Sequence, residues 1–507
     1  LSRVIPGSVA VTEFPAWSLL FGDVHPHVMG IAVLLAVGAL CIAWYSALKD
    51  DRRGHSVLLG IVLGAGIGLI RMTNTWDFPL SIGVTAMTAL LALVAGVRWR
   101  RLVVPIIALL IVVVLVWSPY ARRGEVFDSG FDPAALRTPP SSWLKQFGLF
   151  AAICVMVVGE QLAVTFRRSR PVWGWITRAH LAVVGLSLVA LAYLWQRPGF
   201  ETFEISASLA LGCGWVAWQR RGASPFSPLG PLTLAIGWAI QAGVEMLTVR
   251  NDGGRMNTVF KFWYESWIVL AVGCAVVVAE QLRSDDVWLR KTSRYLVAGS
   301  VVLAVAFWWM ATPPRMDDRL SAGGLSLEGE AYLTPEFVYG SDAERFVPAD
   351  DVPLVDWIRA NVHGIHVVAE APGNDYKWTS RISWLTGLPT PIGWRYHQSQ
   401  QRRAYGVSLE ARIAAMTELY TTTDVHVMAN VLSRYSVRYL VFGTQERLLA
   451  SPASAAALRS FECLNVVTDA DRSTEDGAVS DELFVAAVDA SCVTRLRPRL
   501  PPPPPTP

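Results

Sequence analysis

Val28-Met-Gly-Ile-Ala-Val-Leu-Leu-Ala-Val-Gly-Ala-Leu-Cys-Ile-Ala-Trp-Tyr-Ser-Ala-Leu48 runs without a charge and stops at Lys49-Asp-Asp-Arg52-Arg53. A bilayer core takes about 20 apolar residues per helix, so the stretch reads as a membrane span with a basic loop behind it. The pattern recurs at 56–70, 80–97, 102–118, 147–166, 179–195, 205–219, 229–248, 262–282 and 295–311. The runs at 56–70 and 205–219 are short. Of the 507 residues, 52% are hydrophobic and 17% charged, with a formal charge of +3. That balance gives no argument for nucleic acid and places the chain among membrane proteins. The expected fold is an α-helical polytopic membrane protein of about ten spans with a small α/β domain at its C-terminal end. Leu1 stands in place of Met with no charged signal region after it, which reads as the trimmed start of a longer chain with one or more helices ahead of it.

Lys and Arg in short loops set orientation. Alternate connections are basic: Lys49 to Arg53, Arg98 to Arg101, Arg167 to Arg178, Arg220-Arg221, and Arg283 to Arg294. These are expected in the cytoplasm, which puts the plasma (inner) membrane around the spans. The segment before 28, the loops at 71–79, 119–146, 196–204 and 249–261, and everything after 311 then lie outside. Outer positive charge at Arg71, Arg122, Arg123, Arg137, Lys145, Arg250, Arg255 and Lys261 runs against this bias. An anionic ligand such as a phosphate head group would account for it, and so would pairing with Glu125, Asp128, Asp132 and Asp252.

Residues 1–311 form the expected membrane domain and 312–497 the α/β domain, with Pro313-Pro314 as the break. Helices are expected at 351–362 and 425–435, and strands at 366–369, 438–442 and 483–488. Residues 498–507 are a proline-rich tail expected to be disordered. Cys41, Cys154, Cys213 and Cys274 lie in spans. Cys463 and Cys492 lie in the outer domain and are a candidate disulfide, if geometry allows. No CxxC or zinc-finger spacing occurs.

Four polar clusters border apolar runs at the outer side. Asp23, His25 and His27 alternate before the first span, with Glu13 upstream; on an extended loop the three share one face. A carboxylate and two imidazoles suit a divalent metal such as Mg or Mn, or a base with its orienting partners. Equally, the histidines could cap the helix or face the lipid interface. Asn74 and Asp77 occupy an outer turn, where Asp77 suits a helix cap as well as catalysis. Arg71 ends an apolar run and needs a partner. Asn257, Lys261 and Glu265 repeat every four residues after Asp252-Gly-Gly-Arg255, so one helix face carries all three. Lys261 could simply pair with Glu265 or Glu245. Glu160 and Glu280, near cytoplasmic helix ends, are expected to snorkel.

Glu13-Phe-Pro with Gly22-Asp23-Val-His25-Pro-His27, Asn74-Thr-Trp-Asp77-Phe-Pro79, and Arg255-Met-Asn257-Thr-Val-Phe-Lys261-Phe resemble the YYY family of polytopic membrane proteins. Val368-Ala-Glu370-Ala-Pro-Gly373, Ser380-Arg381-Ile-Ser383, Thr386-Gly387-Leu-Pro389 and Gly393-Trp394 look like its C-terminal signature. That family is grouped by similarity with the GT-C glycosyltransferases, which use polyprenyl-phosphate-linked sugars and carry an acidic residue in the first large outer loop. The resemblance implies a sugar donor of that kind and a glycan, lipid or protein acceptor. Asp23 or Glu13 would be the base, with His25 and His27 orienting it or binding metal. Arg71, Arg255 and Lys261 would hold the donor phosphate. Asn74, Asp77, Asp252, Asn257 and Glu265 would support the site, with Glu370 and Arg381 in the outer domain covering it or selecting the acceptor. No Asp-x-Asp pair stands in that loop, so base and metal stay open. A transporter or flippase for an anionic lipid, and a non-catalytic assembly subunit, are the competing readings.

Overall fold

The computed structural model describes residues 10, 12, 15–20, 25–121, 130–168, 199–221, 227–250, 255–319, 326, 328–340, 345–401, 406–473 and 479–497. By compactness the chain divides into 1–300 and 301–507.

The first unit is helical. After the short α1 (Pro15–Leu20), α2 (Pro26–Lys49) starts on a proline, whose fixed φ and missing N–H suit a first turn, behind His25 in an extended conformation. It is followed by α3 (Arg53–Thr73), α4 (Asp77–Val94), α5 (Arg100–Ala121) and α6 (Pro140–Arg168). Beyond Gly199 come α7 (Glu201–Arg220), α8 (Leu229–Met246), α9 (Met256–Leu282) and α10 (Val287–Arg319). Between them, β1 (Phe131–Pro133) and β2 (Leu247–Val249) pair antiparallel.

Two apolar cores hold this unit. Leu34, Val37, Trp44, Leu63 and Ile67 pack within α2–α5, while Trp143, Phe147, Trp238, Trp263 and Leu270 pack within α6, α8 and α9. Gly60 and Gly64 of α3 lie against the backbone carbonyls of Pro105 and Leu109 in α5. A β carbon at either place would meet main chain, so glycine sets how closely these helices approach. Other faces present apolar side chains outward, including Leu110, Val114, Leu115 and Val155. Such surface belongs against hydrocarbon.

Seven described helices, α2 to α6, α9 and α10, are long and apolar enough to cross a membrane. Helices α7 and α8 occupy the places of two more expected runs and are long enough, but are not apolar enough to count as spans. The run expected at 179–195 lies outside the described residues. One expectation is corrected: Pro313-Pro314 does not break the chain, because α10 continues through both to Arg319. Each proline removes a backbone donor there without ending the helix.

The second unit contains a four-stranded sheet in the order β3-β4-β6-β5. Strand β3 (Val367–Ala369) runs parallel to β4 (Val437–Phe442), while β6 (Val479–Val488) and β5 (Leu464–Ser473) complete it antiparallel. Alternation sends Leu440, Phe442, Phe484 and Ala486 into one core with Met416, Tyr420 and Met428. Val441, Val485 and Leu483 enter another with Leu354, Val355 and Ile358. The surrounding helices include α11 (Val352–Asn361), α12 (Arg381–Thr386), α13 (Arg395–Gln401), α14 (Gly406–Thr421), α15 (Val425–Arg434), α16 (Thr444–Leu449), α17 (Pro452–Arg459) and α18 (Ala490–Leu496). Cys463 and Cys492 form a disulfide.

Candidate functional site

Helices α2, α4 and α9 begin, and α3 ends, at the same end of the bundle, and each brings a polar residue inward. His27, the second residue of α2, is buried. Its Nδ1 lies 3.0 Å from the Lys261 ammonium nitrogen of α9. Phe260 and Tyr264 meet the imidazole edge-on, with ring centroids 5.0 and 4.8 Å away. Lys261 also sits over Phe260 at 4.5 Å, so an aromatic face shares its charge. With the Lys261 ammonium donating, His27 Nδ1 is the acceptor.

One turn deeper on α9, Glu265 is 2% exposed. Asp77 at the start of α4 contacts both Glu265 and Asn74 and lies in the field of Lys261. Thus Asp77 turns toward the bundle interior and makes no N-terminal cap. Gly30 of α2 permits the approach, since a β carbon there would collide with the Asp77 carboxylate. Hydrocarbon strongly disfavours isolated charge, and here the Lys261 ammonium lies in the field of both carboxyls. The sequence-derived set His27, Asn74, Asp77, Lys261 and Glu265 therefore assembles, with Asn257 one turn nearer the helix start.

Other expected members stand elsewhere. Arg255 has its guanidinium 2% exposed, donating to Leu136 O at 2.6 Å, Val244 O at 2.7 Å and Glu245 at 2.9 Å. Glu245 also accepts from Thr138 N–H and Oγ1 at 3.0 and 2.8 Å. This corrects two readings: Glu245 pairs with Arg255 rather than Lys261, and Arg255 has no terminal nitrogen left over for a phosphate. Its work is to fix the chain entering α9. Arg71 packs its guanidinium against Phe78 and Trp117, at 5.3 and 5.5 Å, apart from the Arg255 network. Glu13, Asp23 and Asp252 lie outside the described residues.

His25 and His27 have ring centroids 5.6 Å apart. A divalent ion on His27 would sit beside the Lys261 ammonium, so the described residues fit a metal poorly. Among them no three His, Cys, Asp or Glu side chains are arranged to hold one.

At the opposite end, Arg220 joins Glu160 at 3.4 Å and Glu280 at 3.3 Å. These carboxylates do not snorkel as expected; they are bound to a cation between helices. Trp143, Phe147, Trp238 and Trp263 fill the space in the α6–α9 half of the bundle without exposure.

In the second unit, Arg381, Asp351, Glu370 and Glu446 are all 0% exposed. Arg381 donates to Asp351 at 2.8 Å and to both oxygens of Glu446 at 2.8 and 2.6 Å. Glu370 accepts the backbone N–H groups of Ile382 and Ser383 at 3.0 and 3.2 Å, at the start of α12. Both expected residues are thus internal to their own domain. Burial raises the Glu370 carboxyl, Arg381 draws it down, Glu446 pushes it up, and the result is about 7. For Asp351, burial is outweighed by Arg381 and the Thr444 hydrogen bonds, which leave it below the usual range.

A pH dependence follows. Below about 4.5 Glu370 is protonated folded or unfolded. As pH rises toward 7 the unfolded chain releases that proton while the folded one keeps it. Stability contributed by Glu370 is therefore lost as pH rises through 7, by on the order of 3 kcal/mol. Asp351 acts oppositely, losing its contribution as pH falls below its ordinary value. Amide exchange of β4 and β6 in the full-length protein, corrected for intrinsic rate, should show protection falling from pH 5 to pH 8, with Glu370→Gln flattening the slope. An equal slope in that variant would assign it elsewhere.

Seven hydrophobic helices among the described residues, with buried ionisable groups gathered at helix ends, define an integral multi-pass membrane protein. The chain belongs to the family described as Uncharacterized membrane protein (DUF2298), which matches residues 1–270. No curated protein and no solved structure matches it.

Proposed function

We propose that the chain is a membrane-embedded glycosyltransferase moving a sugar from a polyprenyl-phosphate donor to a glycan, lipid or protein acceptor. The reaction takes place at the outer face of the plasma membrane, with the C-terminal domain outside the cytoplasm. Asp23, or Glu13 in its stead, takes the acceptor hydroxyl proton. The acceptor oxygen bonds to the anomeric carbon as the bond from that carbon to the phosphate oxygen breaks, and polyprenyl phosphate leaves with the electron pair. Lys261 faces the charge that develops on the phosphate, and Arg71 adds guanidinium donors from its aromatic seat. His27 holds the Lys261 ammonium in position, while Asp77 and Glu265 keep the helix ends together. Arg255 becomes a positioning residue.

The observation that carries this reading is the Lys261–His27 contact at 3.0 Å, which holds a cation at a helix end a few residues after Asp23. Alternation of the basic loops supports the orientation. A transporter would need polar groups lining a path between the two ends. The buried aromatic core packed between α6, α8 and α9 gives no support to a path through that half.

Full-length protein in nanodiscs, offered a panel of polyprenyl-phosphate sugars and simple acceptors, should release polyprenyl phosphate and glycosylated product. Movement of intact donor across liposomes without product would favour the transporter. Lys261→Gln should raise the donor KM by about tenfold or more through loss of one charge-assisted contact. An unchanged KM and kcat would remove Lys261 from the site.

A further inference from the structure

The segment from β3 to α13 builds an aromatic surface that the transfer chemistry does not use. Tyr376 is 61% exposed and Tyr396 47%, beside half-buried Trp394 and His397. Ring centroids of Tyr376 and Trp394 lie 5.0 Å apart, and those of Trp394 and His397 5.6 Å apart at 36°. The rings are held in place. Tyr376 Oη and His397 Nε2 share a 2.7 Å hydrogen bond, and the Trp394 indole N–H donates to Thr379 O at 3.2 Å. The Asp375 carboxylate accepts the Tyr396 N–H at 3.0 Å. Tyr376 and Ser380 adopt left-handed backbone, φ 59° and 60°, a conformation that costs non-glycine residues about 1–3 kcal/mol each.

We propose that Tyr376, Trp394, Tyr396 and His397 form a carbohydrate-binding face that takes the sugar rings of a neutral glycan. A sugar ring has a C–H face that packs on an aromatic plane and a hydroxyl rim that needs polar groups at the edge. Both kinds of group are present: the rings, tilted against one another by 36° to 76°, offer separate aromatic faces, and exposed Asn374 and Lys377 neighbour Tyr376 in the chain. Fixed aromatic side chains give large contact area with little ordering on binding. A lipid surface is the weaker match. Among the described residues from 365 to 407, the exposed large hydrophobics are Ile365, Tyr376, Trp384, Tyr396 and Val407; the two aliphatic ones flank β3 and α13 in the chain, and those between them are all aromatic. Charges flank the face instead, including the Arg395–Glu410 pair.

The inference deepens the transferase reading by naming a glycan as acceptor, and rests on that reading for this role alone. Binding can be read without turnover. Saturation-transfer NMR on full-length protein in nanodiscs, with neutral hexasaccharides of glucan, mannan and chitin as probes, should show at least one binding at roughly millimolar Kd or tighter. Tyr396→Ala and Trp394→Ala should each weaken it about tenfold. Tyr396 is exposed, so its variant keeps the test valid if Trp394→Ala misfolds. No binding by any probe, or unchanged affinity in both variants, overturns the proposal. So does quenching by brominated acyl chains that is reduced in Trp394→Phe relative to wild type, without sugar binding, which would assign the face to the membrane. Sugar binding in a protein that transfers nothing would uphold this face and sink the transferase alone.

Discussion

Arg381→Ala should unfold the C-terminal domain while leaving the helices of the membrane unit in place. The substitution strands Asp351 and Glu446, with the Glu370 carboxyl beside them, in a fully buried space around the missing guanidinium. Removing one partner of a buried ion pair costs about 3–5 kcal/mol, because the remaining charge has neither water nor counter-ion. A domain's whole stability is only about 5–15 kcal/mol. Limited proteolysis and amide exchange should therefore show β3, β4 and β6 opening. Arg395→Ala is the contrast: its pair with Glu410 is solvent-exposed and should be worth about 1 kcal/mol or less. Equal protection of the sheet in wild type and Arg381→Ala would mean the cluster does not hold the domain.

Asp23→Asn should abolish sugar transfer with insertion and expression intact. The amide cannot accept the acceptor proton, and loss of a positioned general base removes about 10²–10⁴ of the rate. Asp23 precedes His27 by four residues, and His27 is held by Lys261. The substitution should therefore lower kcat with little change in donor KM, whereas Lys261→Gln also raises the donor KM. Wild-type turnover in Asp23→Asn, with Glu13→Gln inactive, would move the base to Glu13. Turnover in both would remove the carboxylate mechanism.

The membrane class was legible because a bilayer demands long apolar runs, and such runs show in any window of the sequence. Each of the seven apolar helices among the described residues carries a run drawn from sequence, whole except where the run at 80–97 passes the end of α4, and α6, α9 and α10 start well before theirs. The four-residue spacing of Asn257, Lys261 and Glu265 correctly placed them on one face of α9, because helical period converts spacing directly into direction. Their partners were less visible. Nothing in the sequence distinguishes Glu245 bound to Arg255 from Glu245 bound to Lys261, since both lie within reach of its helix end. Glu370 and Arg381 stood out through their motif, yet their role depends on Asp351 and Glu446. These lie 30 and 65 residues from Arg381 and meet it only through the sheet. The aromatic face was hidden for the same reason: Tyr376 reaches Trp394 and His397 only once the chain after β3 folds back.

The central claim is that helix ends from α2, α4 and α9 build one site for a lipid-linked phosphate. A single-particle structure in nanodiscs containing polyprenyl phosphate tests it directly. Density for a phosphate within reach of the Lys261 ammonium, its lipid tail lying along the neighbouring helices, is the predicted result. A phosphate bound only at the far end beside Arg220, or no ordered lipid near Lys261 under saturating conditions, would contradict it.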